Sequence, residues 1–129
     1  VESLIERNIV VKQFELSSVD VGKLAISLVD AATVVLCSPT ILAGAHPAAF
    51  YAGFLVNVLR PKTKFATIIG SYGWGGKTVE QLKSIMTNIK AELLEPVLSK
   101  GYPKESDLLA LDKLADKIVS KHKEAGILN

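Results

Sequence analysis

Between Asp30 and Arg60 the chain carries no Asp, Glu, Lys or Arg. That uncharged run restricts the possible folds more than any other feature. Its length raises the question of a membrane span, since about 20 consecutive apolar residues cross a bilayer. The pattern argues against one. Pro39, Gly44, His46 and Pro47 interrupt the run, and its first part is β-branched. A buried strand, a loop and a buried helix account for it better. Residues 32–37, Ala-Thr-Val-Val-Leu-Cys, read as a parallel strand covered on both faces. Residues 38–47 read as a loop. Residues 48–59 read as a helix that is apolar almost all round, with Asn57 the main exception, and such a helix packs into a core or against a partner.

The rest of the chain continues this alternation. Residues 1–8 read as the end of a helix, with Leu4 and Ile5 on one face, and residues 9–16 as a strand leading into Ser17 and Ser18. Val21, Leu24, Ala25 and Leu28 have helical spacing, with Asp20 or Ser18 as the cap. After the polar connection 60–64, residues 65–70 form the next strand, which ends in Ser71-Tyr72-Gly73-Trp74-Gly75-Gly76. A helix follows with Val79, Leu82, Met86, Ile89 and Leu93 on one stripe, and Thr78 with Gln81 fits a capping box. Residues 96–99 are a short strand and Gly101-Tyr102-Pro103 a turn. Leu108, Leu111, Ala115 and Ile118 form the stripe of a last helix whose lysines gather near its C-terminal end. Strands alternating with helices predict an α/β fold, a doubly wound parallel sheet with helices on both faces. At 129 residues one domain is expected.

Charge and cysteine usage exclude several classes. Fifteen basic and 13 acidic residues give a net charge of +2, which is no footprint for nucleic acid or an anionic membrane. The single cysteine, Cys37, excludes an internal disulfide and a cysteine-rich metal site. Lying in an apolar run, it reads as a small buried hydrophobe. His46 and His122 are far apart with no acidic cluster near either, so no metal site is expected. No Ser–His–Asp or paired-carboxylate arrangement is supported. The N-terminus is an acidic amphipathic stretch without a signal-peptide pattern, and a cytoplasmic protein is expected.

Two loops carry the chemistry. Ligands of open parallel sheets bind outside the carboxyl ends of the strands, and both unusual loops fall at such ends. The second loop, Gly70 to Gly76, sets Tyr72 and Trp74 among four glycines, which let backbone approach a ligand closely. Trp74 either stacks on a flat ring or packs down as a lid on the core. The glycine spacing is not that of a nucleotide triphosphate loop. In the first loop, Ser38 and Thr40 offer hydroxyls beside the stiff Pro39. They either bond a ring with carbonyls and ring nitrogens or serve as local caps.

Ser38-Pro39-Thr40 followed by Pro47, then Arg60-Pro61, then Gly70-Ser71-Tyr72-Gly73-Trp74-Gly75-Gly76, together resemble the C-terminal domain of flavodiiron proteins. The likeness runs from about Val10 to the final helix and includes Lys100-Gly101-Tyr102-Pro103 with Asp107-Leu108 beyond it. The Gly-Ser-Tyr-Gly-Trp stretch is specific, Ser-Pro-Thr alone is weak, and the sequence looks most like the archaeal and anaerobe branch. The resemblance implies a flavodoxin-like fold with flavin mononucleotide (FMN) between the loops. Ser38, Pro39, Thr40, Ile41, Leu42, Ala43 and Gly44 would line the ring edge. Ser71, Tyr72, Gly73, Trp74, Gly75 and Gly76 would hold its other side, with Trp74 the stacking group. It further implies a diiron site in a separate metallo-β-lactamase-like domain of the same or a second subunit, which reduces oxygen or nitric oxide. Rubredoxin or a reduced deazaflavin would be the electron donor, and the protein a homo-oligomer. The cofactor carries the redox chemistry and the loops position and tune it.

Two departures accompany the likeness. Ile41, Leu42 and Ala43 stand where many relatives have an asparagine. Nothing in the sequence matches the first strand and the hydroxyl-rich phosphate loop with which the family begins this domain, nor the diiron domain, so a fragment of a longer chain is expected. In the flavodoxin strand order that first strand is central. Its loss opens the sheet between residues 9–16 and 33–37. The competing expectation is a flavodoxin-like assembly module that binds no cofactor and uses the apolar helix 48–59 as an interface.

Overall fold

The computed structural model describes residues 1–42, 44–59, 62–73 and 77–128. In chain order the elements are α1 (Glu2–Ile5), α2 (Val21–Val29), β1 (Thr33–Ile41), β2 (Gly44–Ala45), α3 (Pro47–Leu59), β3 (Phe65–Tyr72), α4 (Thr78–Ile85), β4 (Glu92–Leu93), β5 (Val97–Lys100) and α5 (Glu105–Glu124). Among the described residues no helix is long and apolar enough to cross a membrane.

The sheet is built on β1 and β3, which run parallel from Thr33 opposite Phe65 to Pro39 opposite Ser71. β4 and β5 pair with β3 in parallel as two pieces of one interrupted strand, at Phe65–Ala66 and at Ile69–Tyr72 respectively. Pro96 lies in the interruption and has no N–H for a ladder. There the Thr67 hydroxyl donates to the carbonyls of Leu94 and Glu95 at 3.2 and 3.3 Å. β2 folds back antiparallel on the end of β1, Thr40 opposite Ala45.

Helices cover both faces, as the doubly wound expectation requires. Leu24 and Leu28 of α2, Ala49, Ala52 and Val56 of α3, and Leu82 of α4 pack with Val34, Leu36 and Ile68 on one face. Leu114 and Ile118 of α5, with Leu4 of α1, pack with Phe65, Val35, Ile69 and Val97 on the other. Phe65 to Ile68 are all buried, as befits a strand covered on two sides. Asp20 is the cap of α2, its carboxylate accepting the Lys23 N–H at 3.1 Å. Two polar contacts tie the first turn of the chain to α5: Ser3 Oγ donates to Asp112 at 2.6 Å and Arg7 Nε to Asp116 at 2.7 Å.

Several expectations are corrected. Residues 9–16 form no strand. A strand exists through its partner, and among the described residues β1 is paired on that side only at Thr40 and Ile41, by β2. Phe14 and Leu16 still pack against the core, so the apolar pattern was read correctly and the hydrogen bonding was not. Cys37 is exposed. It points to the α1 and α5 face of β1, where α1 is four residues long and leaves the strand's far end uncovered. α4 stops at Ile85, so Met86, Ile89 and Leu93 of the expected stripe lie beyond it. Both loops are shorter than expected, because β1 runs on to Ile41 and β3 to Tyr72.

Candidate functional site

The pairing of β1 with β3 places Ser38 opposite Gly70 and Pro39 opposite Ser71, so the two expected loops leave the carboxyl edge side by side. Gly70 permits this. A Cβ there would stand 2.7 Å from the Ser38 carbonyl oxygen.

The first loop is a hairpin. Ser38, Pro39, Thr40 and Ile41 lie on β1, the chain turns at Leu42, and Gly44 begins β2. Ala43 lies outside the described residues. Ser38 is 4% exposed, and its hydroxyl both donates to the Pro39 carbonyl at 2.9 Å and accepts the His46 N–H at 3.0 Å. Thr40 Oγ1 lies 2.8 Å from Thr78 Oγ1. Both hydroxyls therefore have protein partners, that of Ser38 at either end of the hairpin and that of Thr40 on α4. Leu42 is 98% exposed with φ at 48°, a left-handed conformation unusual for a leucine. A strained apolar side chain held out in water beside a glycine-rich loop is a pointer to a binding surface.

In the second loop Ser71 and Tyr72 belong to β3 and are half-buried, and Gly73 is exposed. Trp74, Gly75 and Gly76 lie outside the described residues. The Tyr72 carbonyl accepts the Gly101 N–H at 2.7 Å. This brings the β5–α5 turn, with Tyr102 90% exposed, alongside the second loop. Sequence reasoning did not assign Tyr102 to the site. Its signal was an aromatic between the glycine and proline of a turn at another strand's carboxyl end. His46 was also missed. Its Nδ1 accepts the Ala48 N–H at 3.0 Å and so satisfies the start of α3. The residue before a proline that opens a helix is where such a cap belongs.

The described parts of both loops carry no Asp, Glu, Lys or Arg, and among the described residues no cluster of three His, Cys, Asp or Glu could hold a metal. The arrangement can hold a flat uncharged ring by apolar contact and backbone hydrogen bonds. These described segments carry no carboxylate and no amine or guanidinium side chain.

No protein-family model matches the chain. It is similar to a nitric oxide reductase of Moorella thermoacetica, 31% identical over 122 residues that make up 93% of this chain and 31% of that one. It superposes on the rubredoxin oxygen:oxidoreductase of Desulfovibrio gigas with a TM-score of 0.87 and 26% identity, over 95% of this chain and 31% of that one. A flavodoxin from the domain Archaea superposes with a TM-score of 0.74 at 22% identity, over 95% of this chain and 84% of its own length, which is a likeness of fold. The chain spans less than a third of the length of the curated relatives it matches. With helices on both faces of its sheet and these matches, the chain has a flavodoxin-like fold, and the proteins it is similar to include flavodiiron proteins.

Proposed function

We propose that the chain is an FMN-binding electron-transfer domain that delivers electrons to a diiron site reducing oxygen or nitric oxide. The observation that carries this reading is the register of β1 and β3, which sets the hairpin and the glycine-rich loop next to each other at the sheet's carboxyl edge. The names of the relatives, a nitric oxide reductase and a rubredoxin-oxygen oxidoreductase, support the class of chemistry.

The residues present fit the ring of the cofactor. Ile41 and Leu42, 43% and 98% exposed, offer apolar contact on one side. Ser71, Tyr72 and Gly73 line the other, and Trp74 is the stacking group in this reading. Ser38, Pro39 and Thr40 hold the hairpin in shape, since the hydroxyls of Ser38 and Thr40 have protein partners. Gly44, Gly75 and Gly76 belong to the cradle in this reading, the last two lying outside the described residues. α3 and α4 both begin at this edge, and their N-terminal ends favour negative charge there. When bound, the flavin supplies the redox chemistry. In the same reading residues 1–129 are one domain acting in the cytoplasm. Its electrons come from rubredoxin or a reduced deazaflavin, and the diiron site belongs to a metallo-β-lactamase-like domain of the same or a second subunit.

Titration of the full-length protein that carries this chain with FMN, followed by flavin absorbance and fluorescence, tests the reading. Saturable one-to-one uptake is expected. Stacking on an aromatic is worth about 1–3 kcal/mol per planar base, so Trp74→Ala should weaken binding about five- to 150-fold. No saturable uptake would refute the proposal, and unchanged affinity and midpoint potential in Trp74→Ala would remove the stacking role.

One observation favours a second reading, a cofactor-free assembly module. α3 contains no charged residue, and its Phe50, Tyr51, Phe54 and Val58 are 41%, 48%, 51% and 55% exposed along one helical stripe. Such a face suits a homo-oligomer contact. Light scattering separates the cases, since a monomer at high concentration speaks against assembly through α3.

A further inference from the structure

Thr78 and Gln81 have the spacing of a capping box, yet they do not cap α4. The helix begins after Lys77, and no side chain caps it. Both side chains reach across to the first loop instead. Thr78, 4% exposed, places Oγ1 2.8 Å from Thr40 Oγ1, and Gln81 Oε1 accepts the Ala45 N–H at 2.9 Å. Residues three apart lie on one face of a helix, so a single turn makes both contacts. The Gln81 amide also lies against the bare backbone of Gly44. A Cβ on Gly44 would stand 2.8 Å from Oε1, 3.1 Å from Nε2 and 3.3 Å from Cδ. The same turn of α4 follows directly in sequence from the second loop. It is thus joined covalently to one loop and by hydrogen bonds to the other.

We propose that Thr78 and Gln81 are positioning residues, a clasp that holds the β1–β2 hairpin against the first turn of α4 and thereby fixes where Ile41 and Leu42, the hairpin's contribution to the ring site, stand. The inference rests on the flavin reading. The hairpin needs such a tether. β2 has only two residues, Leu42 turns in a left-handed conformation, and so short a pair of strands is marginal in water by itself. Loss of the Thr78 hydroxyl would also leave that of Thr40 without its protein partner. The clasp reaches 36 and 38 residues along the chain, so it couples α4 to the hairpin and not merely to its own start.

The test compares Gln81→Ala, Gln81→Glu, Thr78→Val and the surface control Lys83→Ala in the whole chain. The first readout, taken without flavin, is hydrogen exchange at the Ala45 amide. It should quicken about five- to tenfold in Gln81→Ala and return close to the parent in Gln81→Glu, which keeps the acceptor, and Lys83→Ala should match the parent. The second readout is the FMN dissociation constant and the flavin midpoint potential. Both should shift in Gln81→Ala and Thr78→Val and recover in Gln81→Glu. Unchanged Ala45 exchange in Gln81→Ala, or equal quickening in Lys83→Ala, overturns the clasp. Faster exchange with unaltered affinity and potential overturns the positioning role. Failure of the parent chain to take up FMN would refute the flavin reading, while the clasp still stands or falls on exchange.

Discussion

Replacing Gly70 with alanine tests whether the spacing of β1 and β3 at the site depends on a missing side chain. The new Cβ would stand 2.7 Å from the Ser38 carbonyl oxygen and 3.2 Å from Leu98 Cδ2. Ordinary contact needs roughly 0.7 Å more than the first of these distances allows. Leu98 is 41% exposed and can swing aside, whereas the Ser38 carbonyl belongs to a paired strand and cannot. Overpacking of this kind costs about 1–3 kcal/mol. Alanine returns about 0.5–1 kcal/mol through the smaller backbone entropy of the unfolded chain. The net expectation is a loss of about 1–2 kcal/mol, or roughly 3–10 °C in melting temperature for a domain of this size. Urea denaturation should show a lower midpoint at an unchanged slope. Gly73→Ala is the matched control, because a Cβ there meets nothing within 4 Å, and its stability should hold or rise slightly. If Gly70→Ala is as stable as the parent, or Gly73→Ala falls equally far, the close approach of the strands is not what requires glycine at this position.

Leu82 is fully buried in the core beneath α3 and α4, so Leu82→Ala should cost about 2–5 kcal/mol in the same denaturation assay. His122 is 6% exposed, with Nε2 2.6 Å from Thr33 Oγ1 and its ring stacked on Phe65, and desolvation pushes its pKa below the ordinary imidazole value. The unfolded chain then binds the proton more readily, so stability present above pH of about 6.5 falls as the pH drops through that value. Denaturation midpoints at pH 7.5 and 5 should differ more in the parent than in His122→Gln, and equal differences would refute the assignment. Phe54→Lys should lower any self-association seen by sedimentation without lowering the denaturation midpoint, since the side chain is half-exposed. Cys37 should label with maleimide in the folded chain because it is exposed, and the reaction should quicken as pH rises, since partial desolvation pushes the thiol pKa up.

Strands 33–37 and 65–70 were legible because parallel strands buried on both faces leave continuous apolar runs. α2 and α5 were legible because one-sided burial leaves a 3.6-residue period. Residues 9–16 carried the same kind of signal and failed, because side chains report burial and only a neighbour supplies a ladder. The extension of β1 through Pro39 was illegible for the converse reason. Pro39 looks like a breaker, but it sits where β1 has a strand on one side only, and an edge tolerates a missing N–H. The register of β1 and β3 sets Ser38 and Pro39 beside Gly70 and Ser71, at the carboxyl ends where the two loops begin. What the Ser38 and Thr40 hydroxyls bond was not readable, since their partners include His46 and Thr78, and a contact 38 residues away leaves no local pattern. Thr78 and Gln81 show the same limit, a short motif that suits two different geometries.

The one-sided pairing of β1 also bears on handling. From Thr33 to Pro39, among the described residues, one backbone edge of the strand faces no other strand. The segment is β-branched and uncharged, and no gatekeeper charge occurs until Arg60. Such an edge is a template for growth by another extended chain, and association of that kind rises with the number of copies present. For residues 1–129 on their own, association at high concentration is then expected to set in before thermal unfolding.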